Sequence, residues 1–136
     1  GELAEILVGL ERDLWLVMAE LACNPDRLDL LAESGSLSTP EMVLRLEGLI
    51  DDVSGRFDPP TEFVVPGEDE VAARLDVART VCRRAERSAL PVATPDSSVV
   101  PYLNRLSDLV WTLARWHEGV SLATRSVPDA SPADHR

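Results

Sequence analysis

The sequence predicts an all-α antiparallel helical bundle, on three observations. Apolar residues recur at helical spacing in four separate stretches, proline and glycine punctuate the gaps, and no stretch alternates apolar and polar residues as a half-buried strand would. Leu3, Ile6, Leu7, Leu10, Leu14, Val17 and Leu21 share one face and predict a first amphipathic helix over 2–22, which Asn24-Pro25 ends. A polar stretch runs from there through Gly35, with a short helical turn expected over 26–32. Thr39-Pro40-Glu41 is a start signal, because a threonine hydroxyl accepts from free backbone amides and proline suits the first helical position. Val43, Leu46, Leu49, Ile50 and Val53 give this second helix its buried stripe, and Gly55 stops it. Residues 56–67 hold Pro59, Pro60, Pro66 and Gly67 and read as an extended connector. Glu68, Asp69 and Glu70 then open a third helix with negative charge where the helix dipole favours it, and that helix runs to about Leu90. After a loop over 91–98, a fourth helix with Pro101 in its first turn runs from about Val100 to Trp116 or Glu118.

At 136 residues the chain is long enough for one domain with its own core. The expected organisation is a single helical-bundle domain over 1–126 and a disordered tail over 127–136, rich in Pro, Ala and Asp. Cys23 and Cys82 are too few for a disulfide framework, which favours a reducing, cytoplasmic compartment. No apolar run approaches membrane-spanning length, and no signal peptide is evident, so no membrane partner is expected. A start at Gly1 rather than Met implies a processed, tagged or truncated product.

All 13 basic residues are arginine, which excludes lysine chemistry such as a Schiff base. Charge is uneven: residues 1–70 hold 17 carboxylates and 4 arginines, residues 71–136 hold 7 and 9. With a net charge of −11, the chain is not expected to bind nucleic acid, but a short arginine cluster suits a small phosphorylated ligand. That cluster lies on the third helix. Val71, Leu75, Ala78, Cys82, Ala85 and Ala89 form its apolar stripe, and Arg79, Arg83 and Arg87 form a second stripe roughly 120° away. Guanidinium groups one turn apart repel, and only Glu86 is locally placed to compensate. The stripe therefore reads either as an anion site for phosphate or carboxylate, or as a solvated face paired with carboxylates of the acidic first half.

Three ordered motifs make the third and fourth helices recognisable. Phe63-Val64-Val65-Pro66-Gly67, then Ala78-Arg79-Thr80-Val81-Cys82-Arg83-Arg84-Ala85-Glu86-Arg87, then Tyr102-Leu103-Asn104-Arg105-Leu106-Ser107-Asp108 closely resemble the trimeric ATP:cob(I)alamin adenosyltransferases. The likeness extends into Ala114-Arg115, and Arg12-Asp13-Leu14-Trp15 with Ala19-Glu20-Leu21-Ala22 looks like that family's second helix. The resemblance implies a five-helix bundle, of which four helices fall here. It further implies a homotrimer binding ATP, with Mg2+, and a corrinoid between subunits. The implied reaction transfers the 5′-deoxyadenosyl group of ATP to cob(I)alamin and releases triphosphate. By motif position, Phe63 would sit beneath the corrin ring and displace the lower axial ligand, easing reduction of Co(II). Arg79 would form an inter-subunit salt bridge near the corrinoid. Arg83 would bind ATP phosphates with Arg84, Glu86 and Arg87 in support, and Asn104 would hydrogen-bond the nucleotide. A flavoprotein reductant and a cobalamin-dependent acceptor enzyme are the further partners implied. Fixed guanidinium groups do stabilise the charge that develops on a triphosphate leaving group, and cobalt supplies the nucleophile, so no catalytic triad is required.

The sequence also departs from that pattern. The family's glycine- and threonine-rich triphosphate segment and its Asp-Glu-Leu-Asn helix have no counterpart here, the usual His before the arginine motif is Asp76, and the second Gly after Pro66 is Glu68. Either the parent protein is longer, or this is a non-catalytic, degenerate paralogue that binds corrinoid or a partner protein. The remaining chemistry-bearing residues carry little. Cys82 lies on the apolar stripe, Cys23 follows a helix end, and His117 and His135 are isolated, so no metal site is expected. Trp15, Trp111 and Trp116 read as packing or interface residues. Asp51 and Asp52 diverge on their helix. Asn104, Asp108, Trp111 and Arg115 are expected on an outer face of the fourth helix that meets another subunit. Apart from the resemblance, Phe63 reads as a loop residue anchored in the core.

Overall fold

In the computed structural model, which describes residues 1–119, 123, 126 and 127, the chain folds into helices joined by short connectors. They are α1 (Glu2–Ala22), a 3-10 turn (Pro25–Arg27), α2 (Leu28–Glu33), α3 (Pro40–Ser54), α4 (Glu70–Ala89) and α5 (Val99–Glu118). The expected tail, apart from Val127, lies outside the described residues. The helix starts follow from local hydrogen bonding. Thr39 Oγ1 accepts from the Met42 N–H at 3.3 Å with Pro40 in the first turn. Asp69 Oδ1 accepts from the Ala72 N–H at 2.9 Å, so α4 begins at Glu70, and Glu68 and Asp69 precede it rather than forming its first turn. Asn24 Oδ1 accepts from the Asp26 N–H at 3.0 Å and turns the chain out of α1.

The core is organised around α5. Of the 16 fully buried apolar residues described, 8 lie on α5, from Val99 to Ala114. α4, α3 and α1 pack around it. Leu46 and Val53 of α3 and Leu10 and Val17 of α1 complete the interior. On α4 the stripe is turned slightly from the sequence expectation: Ala72, Leu75 and Ala89 are buried, whereas Val71 is exposed. Leu21, placed on the apolar face of the first helix, is also exposed.

Two buried carboxylates pin α1 to its neighbours. Asp13 accepts both Arg45 Nη2 contacts, at 2.7 and 2.8 Å, and the Tyr102 hydroxyl at 3.1 Å. Seven residues on, Glu20 accepts the Ser38 N–H at 2.8 Å, the Ser38 hydroxyl and the Ser97 hydroxyl. A heptad separation brings both to one face with Leu10 and Val17, and each is satisfied by donors from other elements, which is what permits its burial. The opposite face of α1 carries Val8, Trp15 and Met18, all more than half exposed.

Tyr102 offers a direct check on this interior. Its phenol is pushed far above the ordinary 10.0, first by burial and then by the Asp13 carboxylate. It is the only tyrosine in the chain, so its ionisation is readable in the ultraviolet. The folded state keeps its proton where the unfolded state loses it, so the stability this group contributes is complete below the ordinary 10.0 and declines as pH rises above it. Alkaline titration is expected to show no phenolate absorbance until the helical signal collapses, the two transitions coinciding. A phenolate appearing near the ordinary value with the helices intact overturns the buried Tyr102–Asp13 pair.

Candidate functional site

α4 and α5 face each other antiparallel, and two polar contacts cross between them. Near the start of α4, Arg115 Nη2 donates to Asp76 Oδ2 at 2.7 Å, and near its end Asn104 Nδ2 donates to Glu86 Oε1 at 2.8 Å. These levels are ten residues apart on α4, about 15 Å at the helical rise. The arginine stripe lies between and beside them.

Two side chains converge on Glu86. Arg83 Nη1 donates to Glu86 Oε2 at 2.8 Å, so one carboxylate holds both Arg83 and Asn104. The Asn104 amide is oriented in turn, since its Oδ1 accepts from Arg105 Nε at 3.1 Å and Nη2 at 2.6 Å. Glu86 is largely buried while the Arg83 side chain remains 46% exposed, leaving guanidinium edges free for an anion. Arg79 is half-buried, and Arg84 and Arg87 are exposed; none forms an ion pair with any described residue. Arg74, at the start of α4, pairs with Glu70, but among the described residues none of Arg79, Arg83 and Arg87 pairs with a carboxylate of the acidic first half, so the solvated-face pairing is not what that stripe adopts. Instead Arg45 and Arg56 take those carboxylates, at Asp13, Glu2 and Asp52.

Phe63 stands apart from this cluster. Its ring is 90% exposed on the loop between α3 and α4, which excludes the reading as a loop anchor in the core. The loop is fixed by its backbone: Val64 forms an antiparallel bridge with Ala123, and the Gly67 N–H donates to Asp76 Oδ2 at 3.2 Å. Gly67 has φ +86, a conformation that side chains rarely tolerate, and an added Cβ would meet Ala73 Cβ at 3.4 Å.

Sequence reasoning missed the contacts that span helices. Arg115, expected on an outward face, is 1% exposed, sitting over the Trp111 ring and bonded to Asp76 and Glu118. Asn104 likewise faces α4. Asn104 and Arg115 therefore meet α4, where Glu86 and Asp76 compensate their burial, whereas Asp108 of the same expected face is exposed and pairs with Arg105. His117, read as isolated, lies 3.1 Å from Asp69 Oδ2. The Ala72 N–H, opposed by partial desolvation and helped by His117, holds the Asp69 carboxyl below its ordinary range. Asp76 was within reach of a sequence signal, being three and seven residues before Arg79 and Arg83 and so on their side of the helix. A separate apolar groove of about 830 Å³ between α1 and α3 is lined by Ile6, Leu10, Trp15 and Leu49 and includes none of the candidate residues.

Comparison with known proteins bears on the same segments. The profile of the family described as "Cobalamin adenosyltransferase" matches residues 1–117. Corrinoid adenosyltransferase PduO of Citrobacter freundii is 36% identical over 114 residues, covering 82% of this chain and 33% of that protein. Corrinoid adenosyltransferase MMAB of Homo sapiens is 40% identical over 77 residues, covering 54% and 31%. A corrinoid adenosyltransferase of Mycobacterium bovis is 39% identical over 124 residues, covering 84% and 61%. The chain thus spans about a third of the length of the first two relatives. Among solved structures, a variant PduO-type ATP:corrinoid adenosyltransferase from Lactobacillus reuteri, complexed with cobalamin and ATP, shares the fold with a TM-score of 0.56. It is 23% identical, and the match covers 89% of this chain and 82% of that one.

Proposed function

This chain belongs to the cobalamin adenosyltransferase family, and on that footing we propose that it transfers the 5′-deoxyadenosyl group of ATP to a reduced corrinoid. The observation that carries the reading is the arginine face of α4, where Arg79, Arg84 and Arg87 have no ion-pair partner among the described residues and Arg83 is held by Glu86. Each free guanidinium edge can donate two N–H bonds to phosphate oxygens.

In the proposed reaction, the electron pair on Co(I) forms the bond to C5′ as the C5′–O bond breaks, and that bonding pair leaves with triphosphate. Charge grows on the leaving oxygens. Arg83, kept in place by Glu86, stabilises it, with Arg84 and Arg87 beside it on the helix surface. Asn104, its amide oriented by Glu86 and Arg105, presents its remaining hydrogen-bonding capacity to the nucleotide. Arg79 binds near the corrinoid, and Phe63 places an apolar ring beneath the macrocycle where a polar lower ligand would otherwise return. Mg2+ is expected to arrive with ATP, held by phosphate oxygens and water. Among the described residues no three His, Cys, Asp or Glu side chains converge to hold a metal ion.

Sites between subunits require an assembly, and we assign the homotrimer expected of the family. Exposed Val8, Trp15 and Met18 on α1, with Val77 and Val81 on α4, support association. Both cysteines are free and no described helix is long and apolar enough to cross a membrane, which fits the proposed cytoplasmic location. A flavoprotein reductant and a cobalamin-dependent acceptor complete the proposed partners.

Three outcomes follow. Light scattering is expected to give three times the 14.9 kDa of one chain, and a monomer at micromolar concentration overturns the assembly. In isothermal titration, Arg83→Ala is expected to weaken ATP binding on the order of tenfold to a hundredfold, the worth of a hydrogen bond to a charged group. Arg74→Ala, which removes an exposed Glu70 partner, is the control expected to leave affinity unchanged. Phe63→Ala is expected to slow adenosylation far more than it weakens corrinoid binding, and to abolish the four-coordinate cob(II)alamin spectrum expected of the wild-type protein with ATP. Because the ring is 90% exposed, its removal should change stability by less than about 0.5 kcal/mol, so a thermal melt separates the two effects. A variant that keeps that spectrum sinks the role given to Phe63. An intact wild-type protein that never produces it favours a binding-only paralogue.

A further inference from the structure

We propose that Asp76, held by Arg115, is a positioning residue for the loop that carries Phe63; the proposal rests on the adenosyltransferase reading given above. Phe63 is 90% exposed, so burial of its own ring does not fix it. What fixes it is the backbone on its C-terminal side. Val64 is bridged to Ala123, just beyond α5, and the Gly67 N–H is received by Asp76 Oδ2. The same oxygen receives Arg115 Nη2 at 2.7 Å. Arg115 is 1% exposed, bonded to Glu118 and seated over Trp111, so it has nowhere to swing. The chain of contacts therefore runs from the rigid interior of α5, through one carboxylate of α4, to the loop.

Asp76 lies three residues before Arg79 and seven before Arg83, on the side of α4 that carries them. Tying Gly67 there sets the height of the Phe63 loop along the same helix that would hold the ATP phosphates. Two parts of the reaction, the ring under the corrin and the cations on the leaving group, would then share one frame. A residue in this role touches neither substrate. Its effect should fall on turnover and on the cobalt spectrum, with little effect on ATP affinity.

The test uses the full chain and three variants. Asp76→Ala removes both the acceptor for Gly67 and the partner of Arg115. Asp76→Asn keeps an acceptor oxygen for the Gly67 N–H. Gly67→Ala leaves the Asp76–Arg115 pair intact, and with it the fold, but strains the left-handed turn and presses on Ala73. For Asp76→Ala and Gly67→Ala, kcat is expected to fall on the order of tenfold to a hundredfold, the cost of misplacing a reacting part by about 1 Å. In Gly67→Ala, where the Asp76–Arg115 pair is intact, KM for ATP should stay within about twofold, since the phosphate contacts survive. Both should lose the four-coordinate cob(II)alamin spectrum, and Asp76→Asn should restore most of it. Amide hydrogen exchange at Gly67 should quicken roughly tenfold in Asp76→Ala, beyond whatever protection α4 and α5 lose with the Arg115 partner. Unchanged Gly67 exchange, or Gly67→Ala with normal kcat and spectrum, overturns the proposal; the Gly67 variant decides should Asp76→Ala fail to fold. A wild-type protein that neither adenosylates nor yields the four-coordinate spectrum defeats the enzymatic reading and the catalytic positioning with it. Gly67 exchange then reports separately whether the anchor exists.

Discussion

A guanidinium group at 1% exposure is the constraint on which the rest of this structure turns. Arg115 stays charged, so its burial requires anions in contact, and Asp76 of α4 and Glu118 of α5 supply them. Once the Asp76–Arg115 pair forms, the register of two antiparallel helices is set. Sliding α4 along α5 by one turn would part Asp76 from Arg115 and leave the buried guanidinium with Glu118 alone. The same register brings Glu86 opposite Asn104, and Glu86 in turn reaches Arg83. The arrangement of the candidate site is therefore a consequence of packing at the other end of the helix pair. Apolar contacts alone would specify it less sharply, because the α4 side of the interface is built from small residues such as Ala72, Ala78, Ala85 and Ala89, which tolerate sliding.

Local chemistry made the helices legible. Asn24-Pro25, Thr39-Pro40 and the acids before α4 each mark an end through hydrogen bonds to residues two or three positions away, and such signals are present in the sequence itself. The motif residues on α4 and α5 were legible for a different reason, their likeness to a known family. The partner of each polar side chain was not legible. Arg115 and Asp76 are 39 residues apart, Glu20 and Ser97 are 77 apart, and nothing local marks either pair. A helical wheel also assumes one buried face. α5 is packed by α1, α3 and α4, so most of its circumference is buried, and a polar residue on the nominal outer side meets another helix rather than water.

The acidic body and the arginine face have to be considered at different ranges. A chain of net charge −11 repels an anion at long distance, but in physiological salt that field decays over about 8 Å. Inside that distance only the nearest groups count. On the Arg79, Arg83 and Arg87 stripe of α4 these are guanidinium groups among which Arg83 alone is paired, to Glu86, while Arg45, Arg56 and Arg74 engage carboxylates of the first half. Keeping the two sets apart preserves an unneutralised cationic surface on a strongly acidic protein. The pairing of Arg45 with Asp13 serves this separation as much as it serves stability, because a half-exposed ion pair contributes only about 1 kcal/mol or less.

Phe63 carries the same logic to a loop. Burying a phenylalanine side chain would contribute about 1.5–3 kcal/mol, and a ring left 90% exposed makes no such contribution. Such a loop cannot be held by its most apolar residue, so it has to be held by its backbone. The Val64–Ala123 bridge and the Gly67 N–H bond do this with backbone atoms of the loop, and what they ask of the sequence is a carboxylate at Asp76 and glycine at φ +86. Folding then places no requirement on the side chain at position 63. A large ring in water at that position suits the role proposed for Phe63, because the flat apolar face of a macrocycle is a surface that such a ring fits.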